Sequence, residues 1–236
     1  MSIFERFQGV FASPKKTLEA VAAKPVWVDI LVLLLVLLAV YTYIITPITQ
    51  AETASLFQSN TKLMERMGQE RFDQFLKSQT NASPTRRLIH SLGFTPLATT
   101  VGFLISALFL LIFGRFVSTG GTYKQVLSVL LHANLINIFL GNAVRLLVIL
   151  TKKSVFQTTT SLAMLFPRLP FGSPAHIVLS QLDFFQLWTF GVLAYGLAAV
   201  FKIELKKALF VSYGFFVVKC IVYIALGFIS RSFMGQ

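Results

Sequence analysis

Apolar and polar positions along this chain are sorted on a coarse scale. Long apolar runs fall at about 26–47, 92–114, 125–150, 184–201 and 208–230, with polar segments between them. Each run is close to the ~20 residues a helix needs to cross the ~30 Å hydrocarbon core of a bilayer. Lipid offers the backbone no hydrogen-bond partners, so runs of this length must bond internally as helices. The pattern predicts an all-α polytopic membrane protein, a bundle of five transmembrane helices.

The polar segments have patterns of their own. Ile3, Phe4, Phe7, Val10 and Phe11 recur at helical spacing. Ser13 and Pro14 supply an N-cap and a first helical position for a second helix, which Lys24-Pro25 ends before the first span. Aromatics opposite Arg6, Lys15 and Lys16 predict an N-terminal interfacial amphipathic helix pair. Phe4, Phe7, Phe11, Lys15 and Lys16 would then lie at the membrane surface; alternatively, the phenylalanines pack under the bundle as a lid. The chain divides into a cytoplasmic interfacial segment, 1–25, and a five-helix membrane domain, 26–236.

Residues 48–91 read as a long outer loop in which Leu63, Met67, Phe72, Phe75 and Leu76 keep a partial helical period, weakened by Gly68. The stretch Ser161 to Phe166, which follows a threonine run from Thr158, is too short to span. It is expected to dip into the interface or cap the bundle. Segment 167–174, with three prolines and Gly172, reads as irregular. Asn81-Ala82-Ser83 matches a glycosylation acceptor, weakly, because Pro84 follows.

Composition agrees with the spans. Only 13% of residues are charged, about half the share usual in a soluble domain. A net charge of +12 would suggest nucleic acid in a soluble protein. Here basic loops that set topology and meet anionic lipid head groups account for it, and no nucleic-acid partner is expected. With the N-terminus inside, the inner segments hold nine Lys/Arg in 41 residues and the outer segments ten in 83, a density bias that favours a cytoplasmic N-terminus. The single Cys220 excludes a disulfide framework or a thiolate metal cluster. No cleavable signal is expected, since the first long apolar run begins only near Val26.

Polar groups inside the apolar runs carry the candidate chemistry. At about 100° per residue, Asn134, Asn137, Gly141, Asn142 and Arg145 share one arc of the third span, while Ser128 and His132 point the other way. Such groups either glue helices together or contact a solute or ion. Arg145 and Asp183 are expected at similar depth, where an ion pair would offset the cost of both charges. Lys219, near the middle of the fifth span, costs at least ~2.5 kcal/mol if unpaired. Ser212, Lys219 and Tyr223 share a face, and the expected partners of Lys219 are polar groups of the third span or Asp29. Asn134, Asn137, Asn142, Arg145 and Lys219 thus form a candidate ligand-binding seam.

Ala98, Gly102 and Ser106, and Ala194 with Ala198, have the spacing of close helix contacts. Motifs for zinc proteases, serine hydrolases, phosphate loops and dinucleotide folds are missing, and His90, His132 and His176 are far apart. No catalytic residue, cofactor or metal is expected.

Several stretches resemble the Yip family, the Rab-interacting membrane proteins of eukaryotes and their bacterial relatives. They are Gly120-Gly121-Thr122-Tyr123-Lys124-Gln125-Val126-Leu127-Ser128-Val129 with His132-Ala133-Asn134, Ser161 through Pro167, Asp183-Phe184-Phe185-Gln186-Leu187-Trp188 and Gly196-Leu197-Ala198. Phe11-Ala12-Ser13-Pro14-Lys15-Lys16-Thr17-Leu18 resembles the bacterial branch. The resemblance implies a five-helix membrane domain that organises membranes or recruits partners without a catalytic residue set. The eukaryotic Asp-Leu-Tyr-Gly-Pro motif and the long cytosolic region that carries it are not found, so the expectation is a multi-pass protein of the bacterial cytoplasmic (inner) membrane.

Two functions compete. In the first, the chain is a non-enzymatic organiser whose partners are the lipid bilayer, anionic head groups, an unknown membrane or cytosolic protein, or a second copy of itself. In the second, it is a transporter or channel for a small anionic solute, ion or lipid, using the polar seam. An enzyme with an unrecognised intramembrane site is the third option.

Overall fold

The computed structural model describes residues 1–58, 61–80, 84–156 and 160–233. The glycosylation-like Asn81-Ala82-Ser83 and the threonines Thr158 and Thr159 lie outside them. The described residues are helical, with no named strand: α1 Ile3–Ala12, α2 Pro14–Ala23, α3 Val28–Gln58, α4 Thr61–Met67, α5 Gln69–Thr80, α6 Pro84–Ile89, α7 Thr95–Arg115, α8 Tyr123–Ala133, α9 Asn142–Lys152, α10 Pro174–Leu179, α11 Phe184–Phe201 and α12 Leu205–Phe233. Five helical stretches are long and apolar enough to cross a membrane: Val28–Gln58, Arg87–Arg115, Tyr123–Lys152, Phe184–Phe201 and Leu205–Ser232. The protein is a multi-pass integral membrane protein, and every span but the fourth runs longer than its apolar run alone.

The first span shows why. Its apolar run ends at Pro47, yet α3 continues to Gln58. Proline cannot donate to the carbonyl four residues back, here that of Tyr43. Arg87 donates to that carbonyl at 3.4 Å, and its guanidinium lies 5.1 Å from the Tyr43 ring centroid. A side chain from the second span therefore supplies the missing bond, as membrane helices require when proline interrupts them. The segment expected as a long outer loop is correspondingly helical, through the end of α3 and then α4, α5 and α6. Gly68, at φ +77°, makes the break between α4 and α5.

The second and third spans each contain a wide π-helical turn, His90–Phe94 and Ile136–Gly141. The first joins α6 to α7 and the second joins α8 to α9, so each span is one continuous rod with a local change of register.

The core centres on α11, where Leu193, Ala194 and Leu197 are fully buried. Helix α2 joins this core through Leu18, Val21 and Ala22. In α1, Phe7 and Phe11 turn inward and meet Phe139 of the third span with ring centroids 5.0 and 6.1 Å away, whereas Phe4, Lys15 and Lys16 stay exposed. Ser13 is the N-cap of α2, but its side chain makes no capping bond; Ser2 and Glu5 form a full capping box on α1 instead.

The turn between the second and third spans is tightly built. Gly121 has φ +81° and packs where a Cβ would meet Val200 and Phe201. Ser118 donates to the Phe201 carbonyl at 2.7 Å, and Gln125, part of a capping box with Thr122, donates to the Ala22 carbonyl at 2.9 Å. These bonds gather the end of α2, the 116–122 turn and the end of α11 at one end of the bundle. At the other end Glu52 accepts from the Ser154 hydroxyl and from the backbone N–H groups of Val155 and Phe156. Leu162, Met164, Leu165 and Phe166 are exposed around a short 3-10 turn.

A polar intramembrane cavity and its supporting ion pair

Arg145, at the start of α9, is the most heavily bonded side chain of the third span. Its Nη2 donates to Asp183 Oδ1 at 2.8 Å and Asn137 Oδ1 at 2.9 Å, its Nη1 to Asn142 Oδ1 at 2.8 Å, and its Nε to Thr160 Oγ1 at 2.9 Å. The Phe185 ring lies 5.6 Å from the guanidinium carbon. Asp183 is also the N-cap of α11, accepting from the Gln186 N–H at 3.0 Å, and its other oxygen accepts from the Thr160 hydroxyl. Ser161 and Asp183 pair as an isolated antiparallel bridge. The ion pair thus clamps the third span, Thr160 and the start of α11 into one unit.

Beside this clamp lies a cavity of about 480 Å³ among α3, α7, the third span, α11 and α12. Asn134, Asn137, Asn142 and Lys219 line it; Arg145 does not. The proposed seam is therefore split. Three asparagines and the lysine face a shared space, and the arginine stands behind them as a structural support.

A guanidinium only donates, so Asn137 and Asn142 must present their oxygens to Arg145. Each of these two amides keeps its N–H donors, while its oxygen already accepts from Arg145. Asn134 uses its own N–H on the Leu130 carbonyl at 2.8 Å and keeps its oxygen.

Lys219 finds its partner elsewhere than expected. Its Nζ donates to Gln186 Oε1 at 2.6 Å and lies 5.7 Å from the ring centroids of Phe190 and Tyr223. Gln186 was a missed residue, an ordinary-looking amide in the first turn of α11. The same helix pair is bonded further along by Ser212 to the Phe190 carbonyl at 2.6 Å and Tyr213 to the Leu187 carbonyl at 3.0 Å.

Asp29 is taken by Arg6, which also donates to His132 Nε2 at 3.1 Å. His132 in turn bonds the Ser128 carbonyl through Nδ1 at 2.7 Å. A carbonyl only accepts, so Nδ1 carries the proton and Nε2 is free to receive the guanidinium N–H. This second buried network docks α1 on the opposite side of the third span. Three separate polar residues in apolar surroundings were its only signal in the sequence.

Ala98, Gly102 and Ser106 depart from their expected role. They border the cavity, and a Cβ on Gly102 would meet nothing within 4 Å. Ala194 is packed in the core as its spacing suggests. Among the described residues no group of His, Cys, Asp or Glu is placed to hold a metal.

With the spans, the capped Gly121 turn and the Asp183 clamp in place, comparison with known families is decisive. The Yip1 domain model matches residues 9–227. The chain belongs to the Yip1 domain family. No curated protein and no solved structure gives a match. Within this Yip1 domain the match takes in α2, the Arg145–Asp183 clamp and the whole cavity, but not Arg6. It starts at Gly9, inside α1, and so takes in α2 but leaves the first part of α1 outside.

The Arg145–Asp183 side chains are 16% and 7% exposed, so losing one partner strands a buried charge. Arg145→Met should destabilise the protein by about 3–5 kcal/mol, and Arg145→Met with Asp183→Asn by clearly less than the sum of the two single changes. Melting temperatures in mild detergent check this; additive losses would show that the pair is not coupled.

Proposed function

We propose that this protein is a non-enzymatic Yip-type protein of the bacterial cytoplasmic (inner) membrane, with a cytoplasmic N-terminus, that organises membrane or binds partner proteins. The observation that carries the reading is the surface it offers at the N-terminal helices and the ends of α2, α8 and α11. Lys15, Lys16, Lys24, Lys124, Lys202, Lys206 and Lys207 are all exposed, and so are Phe4 and Phe116. Basic side chains with exposed aromatics suit anionic head groups or the acidic face of a protein. The inward packing of Phe7 and Phe11 fixes α1, so the exposed residues are presented on a rigid support.

A second reading rests on a different observation, the polar cavity around Lys219. An intramembrane cation beside a cavity is a candidate ligand site, and the corresponding function is a carrier or channel for a small anionic solute, ion or lipid.

Three outcomes test these readings. Pull-down of the full chain after gentle extraction should recover a protein partner or a second copy, and Lys15→Glu with Lys16→Glu should weaken recovery; a monomer that binds no protein and no anionic vesicle would remove the first reading. Membrane-impermeant thiol labelling of a Gln69→Cys variant in intact cells should occur from outside, whereas labelling only after lysis would reverse the orientation. Chloride and lactate flux in proteoliposomes should fall in Lys219→Ala; flux equal to that of empty vesicles in the unmodified protein ends the carrier reading.

A further inference from the structure

We propose that the cavity is a laterally open binding site for a single-chain carboxylate amphiphile, with the carboxylate at Lys219 and the tail leaving toward lipid between α7 and α12. The proposal rests on the cavity named in the second reading and narrows its ligand class.

Charge comes first. Arg6 is answered by Asp29 and Arg145 by Asp183. Lys219 is answered, among the described residues, by a neutral amide oxygen and two ring faces. No acidic side chain lines the cavity. Asp183 acts on Lys219 only from a distance, its oxygens being held by Arg145 and Thr160, and a positive charge in low dielectric with no bonded counter-ion attracts an anion far more strongly than it would in water.

The neutral groups agree with the charge. Arg145 holds the amide oxygens of Asn137 and Asn142, so these cavity residues have donors left to spend. Donors and one cation suit an acceptor with a single negative charge. A phosphate dianion would want a second cation, and the lining provides none.

Shape selects the rest of the ligand. About 480 Å³ is within the range of small-molecule sites, and much of the wall is apolar, including Leu38, Phe103 and Phe215. The rim is exposed at Ala98 and Gly102 of α7 and at Tyr223 of α12, inside two membrane-length helices. A ligand therefore enters from the bilayer, where carboxylates come attached to acyl chains. The open space over Gly102 leaves room for such a chain.

The full chain in phosphatidylcholine nanodiscs, titrated with radiolabelled oleate, tests this. Expected is saturable retention above that of empty discs, displaced by palmitate but not by hexadecanol or butyrate. Lys219→Gln should weaken retention by at least about tenfold, while Lys219→Arg keeps it and Gly102→Phe, at the open mouth, removes it. Retention that does not saturate, or that is unchanged in Lys219→Gln at an unchanged melting temperature, would overturn the proposal. Displacement by butyrate as strong as by palmitate would make this a site for free anions, and displacement by dioleoyl phosphatidate alone would make it a lipid-phosphate site; either result overturns the carboxylate amphiphile. Lys219-dependent retention without ion or lactate flux supports the site and removes only the carrier.

Discussion

The guanidinium of Arg145 holds one side of the bundle together through donors to Asn137, Asn142, Thr160 and Asp183. Hydrocarbon supplies no partner for a polar group, so a charge at this depth survives only when the protein surrounds it with acceptors. That requirement reaches well beyond the side chain itself. Asp183 can sit at the start of α11 because Arg145 neutralises it, and there it caps the helix through the backbone N–H of Gln186, whose side chain separately receives Lys219. The amides that turn their oxygens to Arg145 belong to residues that line the cavity. One ion pair therefore supports a helix start and fixes which way the amides of two cavity residues face.

The backbone is held to the same requirement. Pro47 frees a carbonyl within the first span, and Arg87 answers it from the second. The π turn at Ile136–Gly141 inserts a change of register between α8 and α9, and the Asn142 N–H still finds the Asn137 carbonyl. Each irregularity lies where another helix or a polar network can satisfy what it exposes. A turn of this kind costs regular bonding, and π turns recur at functional sites. Here it lies within the stretch that carries Asn137 and Asn142, between the docked N-terminus on one side and the cavity on the other.

The five spans were legible because length and apolarity are local properties of the chain. The Arg145–Asp183 contact was legible too, since two charges at one depth have few alternatives. Lys219 shows the limit. Its cost was plain from position, but its partner, Gln186, is 33 residues away on a neighbouring helix and carries no charge to mark it. The Arg6–Asp29–His132 network was hidden for the same reason, with His132 more than a hundred residues from Arg6. The small residues of α7 misled because spacing records that a helix can be approached, not whether anything approaches. Continuation of α3 past Pro47 is accompanied by a bond from Arg87, far along the chain, while local propensity points against it.

The asymmetry among the three buried cations carries the functional weight. Arg6 and Arg145 each have a carboxylate and each joins separate parts of the fold, so their cost returns as architecture. Lys219 joins α12 to α11, a pair already bonded by Ser212 and Tyr213 and packed through Phe190 and Phe216. Placing lysine at the centre of a membrane helix costs ~2.5–3.5 kcal/mol on insertion scales, and a methionine would fill much of the same space without that penalty. The bundle gains no distinct connection from the charge. What the charge does supply is a positive potential in a cavity that has no acidic group of its own, and that is useful only when something negative comes to occupy it.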